Sequence, residues 1–193
     1  VTTGALSQIS GAVLNGGRSS RFGTDKAQFV WHGKTLLEHS LASLEGCAQR
    51  FVVGGGQTIP GIPLHPDPEP HQGSIYGVQR ALEVASMRWI AVCACDMPGL
   101  SSAYWAWLAA HLEPEVHLVV PTDAQGRAEP FAAMYSKRCL PTLTSRLERG
   151  ERRAGAWWHG AGLEVRTVEW NWVQMQFGSG VFLNANTPGD LGR

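Results

Sequence analysis

The sequence predicts an α/β fold, one domain over residues 1–193 with a largely parallel sheet covered by helices on both faces. Two observations carry this. Short apolar runs alternate with segments of helical period, and several runs are apolar at consecutive positions, as strands buried on both faces require. With 193 residues, 44% of them hydrophobic and 17% charged, the chain has the apolar surface for one core and reads as globular.

The elements follow in order. Ile9 to Leu14, with Ala12-Val13-Leu14 at its centre, reads as a buried strand. Leu37, Leu41, Leu44 and Ala48 recur at helical spacing, and Phe51-Val52-Val53 forms the next strand, ending in Gly54-Gly55-Gly56. Ile62-Pro63-Leu64 is a short extended piece, and Val78, Ala81, Leu82 and Ala85 mark a second helix. Trp89 to Cys95 is apolar throughout, which suits a central parallel strand. Ser101 or Ser102 caps a helix carrying Tyr104, Trp105, Leu108 and Leu112. His117 to Val120 and Phe131 to Tyr135 are strands, and Leu140, Leu143 and Leu147 lie on a helix that ends at Gly150. Leu163 to Val168 alternates as a half-exposed strand does, and Val181-Phe182-Leu183 is a last apolar run before Asn184.

A formal net charge of zero argues against a general nucleic-acid or anionic-membrane binder. No apolar stretch approaches the roughly 20 residues needed to span a bilayer. Val1-Thr2-Thr3-Gly4 lacks the charged start of a secretory signal, and four cysteines in a chain of this length do not suggest a disulfide framework, so a cytoplasmic setting is expected. Most of the tryptophans are expected in the core or at its rim.

In such a sheet, ligands bind beyond the carboxyl ends of strands. After the first strand comes Asn15-Gly16-Gly17-Arg18-Ser19-Ser20-Arg21-Phe22-Gly23-Thr24-Asp25-Lys26. Its glycines let backbone N–H groups approach phosphate oxygens, and its cations neutralise their charge. Other strand ends carry Gly54, Asp67, Asp96, Asn184 and Asn186. Asp96, where a buried strand stops, can hold Mg²⁺, which prefers oxygen ligands and keeps substrate phosphates in its shell. Asn186 offers that ion a neutral oxygen, or caps a helix before Pro188. Asp67, between Pro66 and Pro68, accepts hydrogen bonds from a ribose or base, or simply makes a turn. Arg152-Arg153 is a solvated pair or a second anion contact. Gly33-Lys34-Thr35 is not the end of a P-loop, because Gln28 stands where that motif needs glycine. Cys93 and Cys95 have no second ligand pair for zinc, and no nucleophile elbow is present.

Leu14-Asn15-Gly16-Gly17 with Arg21, Gly23 and Asp25-Lys26 resembles the Leu-Ala-Gly-Gly-x-x-x-Arg-x-Gly-x-Asp-Lys signature of the molybdenum cofactor guanylyltransferases. Cys95-Asp96-Met97-Pro98 is similar to the family's Cys-Asp-x-Pro. Asp67 with Gly73 to Gly77, Glu148 to Arg153, and Phe182 to Leu191 resemble further family segments, so nearly the whole chain is covered. The resemblance implies a single Rossmann-like three-layer sandwich of the nucleotidyltransferase fold. It implies transfer of GMP from GTP to molybdopterin, with Mg²⁺ as cofactor and pyrophosphate as product. Leu14, Asn15, Gly16 and Gly17 would contact the nucleotide, Gly54 and Asp67 the guanosine, and Lys26 and Arg21 the phosphates. Asp96 would bind GTP and, with Asn186, the metal; Arg152, Arg153 and Asn184 would face the pterin. Transient contacts with cofactor-insertion proteins or acceptor enzymes are implied, with no nucleic acid and no membrane.

Three positions depart from the family pattern, all on the side of nucleotide recognition. Asn15 replaces alanine, Gly54 replaces the asparagine of some members, and Gly73-Ser74-Ile75-Tyr76-Gly77 replaces Gly-Pro-Leu-x-Gly. The competing enzyme readings are a molybdopterin cytidylyltransferase and another sugar- or alcohol-phosphate nucleotidyltransferase. The non-enzymatic one is a carrier that holds a nucleotide or pterin without chemistry.

Overall fold

The computed structural model describes residues 4–16, 26–56, 58–67, 73–185 and 187–191. Its centre is a seven-stranded sheet in the order β5-β4-β1-β6-β8-β7-β9. The strands are β1 (Ile9–Asn15), β4 (Gln49–Gly54), β5 (Leu64–His65), β6 (Trp89–Ala94), β7 (Leu118–Pro121), β8 (Ala132–Ser136) and β9 (Val165–Val168). A small hairpin, β2 (Val30–Trp31) with β3 (Lys34–Thr35), stands apart from that sheet. The helices are α1 (Leu36–Ser43), α2 (Ser74–Val84), α3 (Ser102–Ala109), α4 (Leu140–Glu148) and α5 (Trp170–Phe177).

Alternate residues of each central strand point to opposite faces, so a strand apolar throughout feeds two cores. Ile9, Val13, Val52, Ala91, Cys93, Val119 and Met134 join Leu37 and Leu41 of α1, Tyr104, Trp105 and Leu108 of α3 and Val173 of α5. Ala12, Leu14, Phe51, Val53, Ile90, Val92 and Tyr135 face the other way, onto Ile75, Val78 and Leu82 of α2 and Leu143 and Leu147 of α4. This is the expected layered sandwich, and the sheet is mostly parallel. The exception is β8, which runs antiparallel to both β6 and β7. β9 is half-exposed at the edge of the sheet, as its alternating pattern predicts.

Several details differ from the sequence reading. α1 stops at Ser43, with Leu44 as its C-cap, so Ala48 belongs to the approach to β4, where its N–H donates to Ile9 O at 2.9 Å. α3 stops at Ala109, short of Leu112, and Ser101 is its N-cap, accepting from Tyr104 N at 3.2 Å. Val181-Phe182-Leu183 is a turn and not a strand, closed by Leu183 N donating to Gly180 O at 3.0 Å. That turn crosses so close to Gly99 that a Cβ there would lie 2.3 Å from Gly180 O. Gly33-Lys34-Thr35 turns out to be the corner of the β2–β3 hairpin running into α1, away from any phosphate-loop geometry. Thr35 caps α1 reciprocally: it accepts from Glu38 N at 3.2 Å, and Glu38 Oε2 accepts from Thr35 N at 2.7 Å.

All four cysteines are free. Trp105 and Trp157 are fully buried and Trp158 nearly so, whereas Trp172 is 61% exposed. Among the described residues no helix is long and apolar enough to cross a membrane.

Trp105 is the largest side chain under the α1–α3 face, and its Nε1 donates to Ser43 Oγ at 3.2 Å. Trp105→Ala should cost about 3–5 kcal/mol of unfolding free energy in urea titration, because the cavity cannot collapse onto a rigid sheet. A cost under about 1 kcal/mol would show that this face is not the packed core described here.

Candidate functional site

β4, β1 and β6 lie side by side and parallel, and they end at one level. Asn15 stands opposite Gly54, and Leu14 opposite Ala94. The segments leaving them therefore emerge together at the carboxyl edge, where α/β sheets take their ligands. Leu14 O accepts from Cys95 N at 3.0 Å, and Asn15 O accepts from Gly55 N at 3.2 Å, so the ladder continues one residue beyond each strand.

Gly54 has φ +131, and a Cβ there would lie 2.0 Å from Asn15 O. Glycine is thus demanded by the close approach of two backbones, and no side chain can replace it. Asp67 follows β5, and its Oδ2 lies 3.6 Å from where a Cβ on Gly16 would stand, so the acid faces the start of the glycine loop. Leu14 is different. Its side chain is buried against Gly77 of α2, and its carbonyl is committed to Cys95, so it packs beneath the strand end.

Lys26 opens a single 3-10 turn, Lys26–Gln28, fixed by buried Ala27. Its Nζ lies 2.6 Å from Asp96 Oδ2, with the two side chains 15% and 23% exposed. Asp96 is held in turn by the C-terminal segment, since its carbonyl accepts from Ala185 N at 2.9 Å. Asn184 is therefore brought beside Asp96, and its Nδ2 donates to Phe182 O at 3.3 Å. The structure thus gathers Asn15, Gly16, Gly54, Asp67, Lys26, Asp96 and the Asn184 segment at one edge. Arg152 and Arg153 are both exposed, and the Arg152 guanidinium lies 5.8 Å from the centroid of the Tyr76 ring at the start of α2. The expected roles of Gly17, Arg21 and Asn186 fall outside the described residues.

A carboxylate on a parallel strand end with a carboxamide segment next to it is an oxygen donor set of the kind Mg²⁺ accepts, one or two carboxylates with substrate phosphates completing the shell. Among the described residues no group of three or more His, Cys, Asp or Glu could hold a metal alone. The residues present fit a metal shared with a phosphate ligand and not a closed protein cage.

Glu129 was not singled out from sequence. The link between β7 and β8 is wound around Asp123, whose Oδ1 accepts from Gln125 N at 2.9 Å and Arg127 N at 2.8 Å. Glu129 N then donates to Pro121 O at 2.9 Å, and Ala94 N donates to Phe131 O at 3.2 Å, which sets Glu129 on the Asp96 side of the sheet. Burial first, then the charges of Asp123 and Asp96, push its carboxyl up to about 7. The sequence carries no signal for this, because the place of Glu129 at the carboxyl edge follows from the antiparallel course of β8 against β6.

A carboxyl raised in the fold binds its proton more tightly when folded, so its contribution to stability is complete below the unfolded value near 4.5 and is lost as pH rises through about 7. Glu129→Gln removes that titration. In urea unfolding the variant should gain on the wild type between about pH 5 and about pH 8. A constant difference across that range would contradict the burial of this group.

Comparison with known proteins agrees with this geometry. The MobA-like NTP transferase domain matches residues 11–162. A protein of Deinococcus radiodurans named "Probable molybdenum cofactor guanylyltransferase" is 33% identical over 95% of this chain and 92% of its own length. A Bacillus cereus protein of the same name is 28% identical over 97% of this chain and 96% of its own. Among solved structures, molybdopterin-guanine dinucleotide biosynthesis protein A from Archaeoglobus fulgidus superposes with a TM-score of 0.77 at 23% identity, covering 95% of both chains. The 2-C-methyl-D-erythritol 4-phosphate cytidylyltransferase of Thermus thermophilus reaches 0.68 at 19% identity over 94% of each. With the family model matching residues 11–162 and a relative 33% identical over 95% of the chain, the chain belongs to the MobA-like NTP transferase family.

Proposed function

We propose that this nucleotidyltransferase transfers GMP from GTP to the terminal phosphate of molybdopterin, releasing pyrophosphate. The observation that carries the reading is the 2.6 Å contact of Lys26 with Asp96 at the edge where Gly16, Gly54 and Asp67 also gather. Relatives named molybdenum cofactor guanylyltransferase support a guanylyl group as what is transferred and the molybdenum cofactor as its acceptor. A single domain spanning residues 1–193 and a cytosolic setting go with this reading.

In the proposed reaction an oxygen of the pterin's phosphate monoester forms a bond to the α-phosphorus of GTP. The bond from that phosphorus to the bridging oxygen of the β-phosphate breaks, and pyrophosphate leaves with the electron pair. The second ionisation of a phosphate monoester lies at about pH 6, so the nucleophile is largely ionised near neutrality. It needs no general base. The site accordingly requires no Ser or His nucleophile–base pair.

The obstacle is charge. Two unit charges at about 4 Å repel by roughly 4 kcal/mol at an effective dielectric near 20. Lys26 would meet the phosphates, and Arg21 in the preceding loop would add a second cation. Backbone N–H groups at Gly16 and Gly17 would hold the nucleotide for in-line attack. Asp96, with Asn186, would hold Mg²⁺. When bound, this ion neutralises phosphate oxygens and the developing charge on pyrophosphate. Gly54 and Asp67 would lie against the guanosine, and Asn184, Arg152 and Arg153 would meet the pterin. Transient docking to cofactor-insertion proteins or acceptor enzymes would pass the product on.

Lys26→Ala and Asp96→Ala should each lower kcat/KM about 100-fold or more, the scale on which a single preorganised charge-stabilising group acts. Far-UV circular dichroism should be unchanged. Near-wild-type turnover by both purified variants would overturn the assignment. Pyrophosphate release with molybdopterin and GTP, CTP or ATP in parallel tests the base: release with GTP alone is expected, preference for CTP would make the chain a cytidylyltransferase, and binding without release would make it a carrier.

A further inference from the structure

We propose that Asn15 is a positioning residue whose side-chain amide clamps the Gly54-Gly55-Gly56 turn to Cys95, fixing the backbone of that turn for the nucleoside of a bound triphosphate. The inference rests on the nucleotidyl-transfer reading and names what holds its nucleoside side in shape.

Asn15 grips Gly55 at two points. Its main-chain O accepts from Gly55 N at 3.2 Å, and its Nδ2 donates to Gly55 O at 2.7 Å. On the other side its Oδ1 accepts from the Cys95 thiol, with Sγ at 3.5 Å. Each end of the amide thus has its own partner, and the orientation is dictated. Turned over, Oδ1 would confront Gly55 O, two acceptors face to face.

The turn needs such a clamp. Three successive glycines lose more conformational freedom on ordering than any other residues. Gly55 and Gly56 are exposed, so packing does not restrain them. Beneath them, the backbone contact of Gly54 with Asn15 leaves no room for a side chain that could take over. A hydrogen-bonded amide at residue 15 is the restraint the site offers. It also spans the site, because Cys95 precedes Asp96 and Gly54 ends β4, the strand paired with the β5 that leads to Asp67. One side chain thereby ties the nucleoside side of the edge to the side that carries the acid.

The substitutions separate this role from mere bulk. Asn15→Ala removes both side-chain bonds. Asn15→Asp keeps the size, but sets an acceptor against Gly55 O and adds a charge near Asp67 and Asp96. The test pairs two measurements on wild type, Asn15→Ala and Asn15→Asp. One is amide hydrogen exchange of the peptide spanning Gly54 to Gly56 in the absence of ligand. The other is the Kd for GTP with Mg²⁺. In both variants exchange should speed up about tenfold at the turn while the β1 and β6 core stays protected, and Kd should weaken by about tenfold, with Asn15→Asp at least as impaired as Asn15→Ala.

Exchange at the turn within about twofold of wild type would overturn the clamp. So would acceleration spread evenly over β1, β4 and β6, which marks general loosening. Faster exchange with unchanged Kd would overturn the positioning role. Failure of the wild type to bind any nucleoside triphosphate would strike at the nucleotidyl-transfer reading and take the positioning role with it, whereas the exchange measurement judges the clamp by itself.

Discussion

An ammonium and a carboxylate 2.6 Å apart, each mostly out of water, are the constraint around which this edge is arranged. Burying such charges costs several kcal/mol per ion, and their attraction offsets this only in part, so an apolar pair of similar size often serves stability as well or better. The position of Lys26 and Asp96 is therefore not explained by what they add to the fold. The fold holds them instead. Buried Ala27 anchors the turn that begins with Lys26, β6 runs through the middle of the sheet to end just before Asp96, and Ala185 N fixes the Asp96 carbonyl from a segment far away in sequence.

That edge is level because the opposite edge is pinned. Ser10 is fully buried at the start of β1, and its hydroxyl donates to Gln49 Oε1 at 3.0 Å and accepts from Met87 N at 3.2 Å. Gln49 Oε1 also accepts from Ser86 N at 2.9 Å. One polar cluster thus sets the register of β4, β1 and β6 where they begin, and a slip of one residue would turn every side chain to the wrong core. With the beginnings aligned and the strands of nearly equal length, Gly54, Asn15 and Ala94 arrive together at the other end.

Strand and helix placement was legible wherever a run was apolar at consecutive positions or repeated with helical period, as in β1, β6, α2 and α4. Direction was not. The antiparallel course of β8 leaves no mark on Phe131 to Tyr135, since a strand buried on both faces reads the same either way. Trp170-Asn171-Trp172-Val173-Gln174-Met175-Gln176-Phe177 alternates almost like a strand, yet it forms α5, with only Val173 fully buried. Val181-Phe182-Leu183 has strand composition but pairs with no strand among the described residues, and Leu183 N donating to Gly180 O closes it as a turn. At the site, chemical type was readable: glycines, an acid and a lysine at strand ends. What the glycine and the amide do was not. Gly54 answers a backbone approach and Asn15 answers two partners, and both depend on strands that meet only in space.

Under the proposed function, base choice belongs to groups at the carboxyl edge of the sheet. In the proposed reaction those groups lie on the β4–β5 side, with Gly54, the turn after it and Asp67, while Asp96 leaves β6 on the other side of β1. Neighbouring strands are about 4.8 Å apart, so recognition and phosphorus chemistry are separated by roughly two strand spacings. A loop change on the first side can alter the base without disturbing the second, provided the strand between them keeps both in register. Asn15, at the end of that middle strand, bonds through its side chain to Gly55 on one side and to Cys95 on the other.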